Sequence, residues 1–160
     1  MLKSVLSAIK KNGLTAFILF TISLNYCFKK RFSDEDWLIY ANRCLAQCYD
    51  ASGESKLKKV EITVTSDSFI RLRKTFAKSK QEYYSFNLHN FNDMDYLGNT
   101  KTGTLELKTI ADDIIVQTYN DRNGDVDSMT TVLNIPVKNM EPERLDSLRN
   151  ALNYFKAKGL

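Results

Sequence analysis

Hydrophobic and polar positions change their period along this chain, and each change marks an element. Residues 14–28, LTAFILFTISLNYCF, hold no charged side chain. Between residues 32 and 49, Trp37, Ala41, Cys44, Leu45 and Cys48 recur at helical spacing, which predicts an amphipathic helix with one buried face. Ser33 followed by Asp36 gives it a capping-box start, and Phe32 is placed to staple onto Trp37. Asp50 to Glu54, with Gly53 as the breaker, ends it.

From Lys58 the period becomes two. Val60, Ile62 and Val64 alternate with Lys59, Glu61 and Thr63, and Ile70 and Leu72 alternate with arginines, as half-buried strands do. Tyr84, Phe86 and Leu88 form the next inward face, opposite Tyr83, Ser85, Asn87 and His89. Residues 90–100 read as a polar, turn-rich connection, followed by strands over 104–108 and 114–119. Asn123-Gly124 predicts a tight hairpin, because both central residues must accept positive φ. The returning strand is expected over 129–137, with Met129, Thr131, Leu133, Ile135 and Val137 on one face and Pro136 near its end. Leu145, Leu148, Leu152 and Phe155 then mark a closing helix that starts near Pro142 and ends at Gly159. The expected class is α+β: a helix, about six antiparallel strands in a meander, and a C-terminal helix packed on the sheet.

The uncharged run divides the chain into a leader and anchor, residues 1–31, and a soluble domain, residues 32–160. As a helix the run reaches about 22 Å, against a hydrocarbon core of about 30 Å. Lys10, Lys11, Lys29, Lys30 and Arg31 can extend it by reaching to head groups. Leu24 and Cys27 resemble a bacterial lipoprotein signal in outline, with Tyr26 where a small residue belongs; an uncleaved signal anchor is the expectation. Three basic residues stand on each side of the run. The α-amino group tips the balance towards an inside N-terminus, with the domain outside the cytoplasm in a bacterial envelope. The basic amphipathic face of residues 2–11, with no acid before Asp34, makes the mitochondrial inner membrane the alternative address.

Charge sharpens this division. The net charge is +4, from 23 basic and 19 acidic residues, but six of the basic and none of the acidic ones lie in residues 1–33. That leaves 17 basic against 19 acidic residues, so the domain has no global cationic footprint and no nucleic-acid partner is expected. Cys44 and Cys48, four apart on a helix, are badly placed for a disulfide and read as buried thiols.

Candidate chemistry is sparse. Asp121, Asn123, Asp125 and Asp127 resemble a calcium loop, but its glycine falls fourth instead of sixth and the twelfth residue is Val132. The single histidine, His89, has no nucleophile motif beside it. No catalytic residue, metal or cofactor is expected. Outward aromatics around the middle strands suggest a recognition patch of Tyr83, His89, Phe91 and Tyr96 for a protein partner. The expectation is a membrane-tethered, non-catalytic binding domain, of the kind found in envelope-assembly subunits or immunity-type inhibitors. The alternative is a carrier of a small apolar ligand, in a cup between curved sheet and C-terminal helix lined by Tyr84, Phe86, Leu107, Val116 and Leu152.

Overall fold

The structure is a computed structural model that describes residues 32–158. The expectations for the leader, the uncharged run 14–28, Cys27 and Gly159 lie outside the described residues. Among the described residues, no helix is long and apolar enough to cross a membrane. From Asp34 onward the chain forms one compact unit. Its elements are α1 (Asp34–Cys48), β1 (Leu57–Val64), β2 (Phe69–Phe76), β3 (Gln81–Asn87), β4 (Phe91–Gly98), β5 (Thr102–Thr109), β6 (Ile114–Tyr119), β7 (Asp127–Thr130), β8 (Val132–Lys138) and α2 (Pro142–Lys158).

The class is α+β, with the C-terminal helix against the sheet. A single six-stranded meander is not what forms. Eight strands make a five-stranded antiparallel sheet, ordered β1-β2-β3-β6-β7, and a three-stranded one, ordered β4-β5-β8. One extra strand is β4, in the stretch that reads as a turn-rich connection, and the other comes from the division of the expected 129–137 strand. A bulge between Phe91 and Asp93 breaks the alternation of β4, so a period of two cannot be seen there.

The two sheets are halves of one bent ribbon. β3 passes through a 3-10 turn, Leu88–Asn90, into β4, and β5 bends over residues 110–113 into β6. Across that bend the pairing stays nearly in step: Gly98 faces Gly103, Phe91 faces Thr109 and Gln81 faces Tyr119. On the other side it slips. Lys108 faces Val132 while Ile114 faces Thr130, so residues 109–113 stand opposite Thr131 alone. Thr131 splits the expected 129–137 strand into β7 and β8 and resets its alternation. Leu133, Ile135 and Val137 are buried, but Met129 is 57% exposed on the opposite face.

One core joins the layers. Ile62, Val64, Ile70, Leu72, Phe86 and Ile114 come from the five-stranded sheet, Met94, Leu105, Leu107, Leu133 and Ile135 from the three-stranded one. α1 contributes Ala41, Cys44, Leu45 and Cys48, and α2 contributes Leu148, Ala151, Leu152 and Phe155. Each large side chain among these contributes about 1.5–3 kcal/mol by leaving water. α1 packs on β1 and on α2, while α2 also covers the Leu88–Asn90 turn and β4. Cys44 and Cys48 are free, buried thiols. Arg144 Nη1 donates to Cys48 Sγ at 2.9 Å, and burial, followed by the neighbouring Cys48, pushes the Cys44 thiol up to about 12.

On two of the edge strands, β1 and β4, a helix side chain bonds the backbone. Asn42 in α1 donates to Val64 O at 2.9 Å and accepts from Val64 N at 2.7 Å, so its amide stands in for a neighbouring strand. Arg149 in α2 donates to Met94 O at 2.5 Å on β4 and pairs with Asp93 at 2.7 Å. Both contacts occupy groups that would otherwise template pairing with another chain.

Candidate functional site

The outer face of the five-stranded sheet carries the side chains that alternation turns away from the core. Register places them in rows. Glu61, Arg73, Tyr83, Gln117 and Asp127 lie side by side across five strands, and Thr63, Arg71, Ser85, Ile115 and Met129 form the next row. Two shallow grooves of about 230 Å³ each flank Tyr83. One is lined by Glu61, Thr63, Arg71 and Arg73, the other by Arg73, Gln81, Gln117 and Tyr119.

Polar groups on this face hold one another in place. Tyr119 donates to Gln117 Oε1 at 2.9 Å, and Gln117 Nε2 donates to Asp127 Oδ1 at 3.3 Å. Arg71 lies 5.5 Å over the Phe69 ring, with Asp67 at 3.9 Å. Beside them Ile115 and Met129, direct cross-strand neighbours, are 38% and 57% exposed, and Tyr119 is 47% exposed. Tyrosine and arginine are enriched at the centres of protein interfaces, and this face carries both beside an apolar pair.

The inner face of the same sheet changes character towards its far end. Ile70 and Leu72 are followed by Lys74, which is buried and paired with Glu54 at 2.6 Å. Tyr49 donates to the same Glu54 oxygen at 2.5 Å, and Lys74 Nζ lies 6.0 Å from the Tyr49 and Tyr84 rings. Burial first, then Glu82, raises the Tyr84 hydroxyl to about 12; burial and Glu54 raise that of Tyr49 further. The core ends here in a paired and hydrogen-bonded ionic plug.

Of the residues that the sequence nominates for recognition, only Tyr83 belongs to the outer face. Phe91 is 1% exposed and is a core residue; the 3-10 turn before it resets the alternation and turns it inward. Tyr96 pairs with buried Leu105 on the inner face of the three-stranded sheet and donates to Asn99 O at 2.5 Å. Its ring lies against Gly103, where an added Cβ would come within 2.5 Å of the Tyr96 hydroxyl. His89 is exposed in the Leu88–Asn90 turn, its backbone N–H bonded to Asn87 Oδ1 at 2.8 Å. The four residues therefore do not form one patch.

Arg71, Arg73, Ile115 and Met129 take the place of those three. The two arginines were legible as the outward phase of β2, whereas Met129 was not. The calcium-like loop is also explained locally. Asp121 Oδ1 accepts from Asn123 N at 3.0 Å, Asp125 Oδ1 accepts from Asp121 N at 2.9 Å, and Lys80 pairs with Asp121 at 2.8 Å. The Lys80 bond first, then the Asn123 amide, holds the Asp121 carboxyl below the usual carboxylate range. The connection is wider than a two-residue hairpin, running from Asn120 (φ 58°) to Val126, with Gly124 at φ 100°. Among the described residues no group of three or more His, Cys, Asp or Glu side chains could hold a metal ion.

No protein-family model, no curated protein and no solved structure matches the chain.

Proposed function

We propose that this chain is a membrane-tethered, non-catalytic binding domain, displayed outside the cytoplasm, which recognises a protein partner through the outer face of its five-stranded sheet. The observation that carries the reading is the row through Arg73, Tyr83 and Gln117, bordered by the exposed Ile115–Met129 pair. Tyrosine and arginine anchor protein interfaces because each combines a large apolar area with directional hydrogen bonds. The uncharged run 14–28 supports a membrane tether, in a bacterial envelope or, as the alternative, the mitochondrial inner membrane. Envelope-assembly subunits and immunity-type inhibitors are domains of this kind.

The apolar-carrier alternative has less support. Phe86, Leu107 and Leu152 are buried in the common core, and Tyr84 lies beside Lys74 and Glu82, a poor lining for an apolar ligand.

Capture with the full-length chain tests the proposal. The parent and a Glu143→Lys control on α2 should retain one partner in stoichiometric yield. The double variant Arg73→Glu, Tyr83→Ala should retain at least tenfold less, since interface anchors cost about 2 kcal/mol or more when lost. Equal capture by all three would refute the assigned face. Recovery of the full-length chain in the soluble fraction without detergent would refute the tether.

A further inference from the structure

Lysines and an arginine far apart in sequence meet at one end of the five-stranded sheet. The loop before β1, the β2–β3 turn and the β6–β7 loop enclose an open cleft of about 400 Å³, lined by Lys56, Phe76, Lys78, Lys80, Asp121 and Arg122, with Ser55, Asn120 and Asn123 between them. Hydrogen bonds lock these loops together: Ala77 N donates to Lys56 O at 2.9 Å, and Asn120 Nδ2 donates to Ser79 O at 3.2 Å.

Within the cleft Lys80 is fixed, lying 5.6 Å from the Phe76 ring centroid and paired with Glu82 at 3.0 Å and Asp121 at 2.8 Å. Lys56, Lys78 and Arg122 form no ion pair with any described residue. Lys56 and Lys78 are both held at positive φ, 66° and 67°, a backbone region that costs energy for side chains of this kind. The nearby carboxylate of Asp125 is bonded to the Asp121 amide and, with Asp127, lines a separate groove.

This clustering runs against the rest of the domain, where acidic residues outnumber basic ones. With Lys80 held by Glu82 and Asp121, Lys56, Lys78 and Arg122 leave three unpaired like charges around one space, and an anion between them relieves their repulsion. We infer that the cleft binds a small phosphate-bearing anion, with Lys56, Lys78 and Arg122 as its charge contacts and the Ser55, Asn120 and Asn123 side chains as neutral donors. Phosphate suits it better than a carboxylate. It carries more charge and more acceptor oxygens, directed tetrahedrally, and so can use cations arriving from three loops. The volume falls in the range of small-molecule sites. The inference is independent of the partner-binding face, which lies on different residues.

Titration of the full-length chain with inorganic pyrophosphate, followed by calorimetry or amide NMR shifts, tests it. Saturable one-to-one binding is expected, with shifts at residues 55–56, 76–80 and 120–123. The double variant Lys78→Gln, Arg122→Gln should weaken binding at least tenfold. The double variant Arg71→Gln, Arg73→Gln on the outer sheet face removes the same charge and should change it less than twofold. Lys56→Gln, Arg122→Gln provides a second cleft variant should the first misfold. A parallel arm with phosphatidylglycerol vesicles distinguishes a lipid head group from a soluble phosphate: cleft-dependent binding to the vesicles but not to pyrophosphate assigns the phosphate to lipid. Absence of cleft-dependent binding to either probe at millimolar concentration, or equal weakening by the cleft and outer-face variants, overturns the inference.

Discussion

Lys74 illustrates how a single residue sets the character of this domain. It occupies the inward phase of β2, directly after Leu72, where an aliphatic side chain would continue the core. Its ammonium group is tolerated because Glu54 pairs with it and Tyr49 bonds to the same carboxylate; removing one partner of such a pair leaves a costly uncompensated charge. The neighbouring Tyr84 gives this region a pH signature. Its hydroxyl has an ordinary value of 10 and is raised to about 12 in the fold, chiefly by burial. Folding therefore favours the protonated form. Between about pH 10 and about 12 the unfolded chain releases this proton first, so stability is complete below pH 10 and falls as pH rises through that window. Tyr84→Phe should abolish this component, leaving a shallower alkaline loss of stability in urea titrations at pH 9, 10 and 11. Identical slopes for parent and variant would refute the assignment.

Among the elements, β1 and α1 depend on each other through Asn42. The helical repeat was plain in the sequence, but Asn42 stands beside the buried face, and nothing local marks it as a partner for Val64. Its amide meets the donor and the acceptor of one edge residue, and both would lose a partner on truncation. Asn42→Ala should destabilise the domain by about 1–3 kcal/mol, measured by denaturant unfolding. Hydrogen exchange of the Val64 amide should accelerate more than that of Leu72 on the interior strand β2. The strand β4 teaches a related lesson. Asn92, Asp93 and Asp95 are turn-forming residues by composition, yet they sit in a strand because Phe91, Met94 and Tyr96 fill the inner face across a bulge. Local propensity lost to packing there.

For the molecule as a whole, the two sheets are joined through three continuous bent segments and one shared core. Every strand of the three-stranded sheet runs on, along the chain, into a strand of the five-stranded one. Thermal or denaturant unfolding should therefore follow one transition, with tyrosine fluorescence and far-UV circular dichroism giving coincident midpoints. Two separated transitions would show that the sheets fold independently. Among the described residues the outer sheet face and the cationic cleft at its end carry no helix; α1 and α2 pack on each other, on β1, on β4 and on the turn between the sheets.

The chain's own periodicities determined the two helices, the α+β class and the outward phase of Tyr83, Arg71 and Arg73, because these follow from side-chain spacing within a few residues. Only the tertiary structure decided the inward turn of Phe91, the outward turn of Met129 and the meeting of Lys56, Lys78, Lys80 and Arg122. A 3-10 turn, a bulge and the slip at Thr131 each reset the alternation. Where the strand resumes is then fixed by its pairing with residues distant in sequence. Charges brought together from three loops leave no trace in any local window, so their convergence exists only in the folded chain.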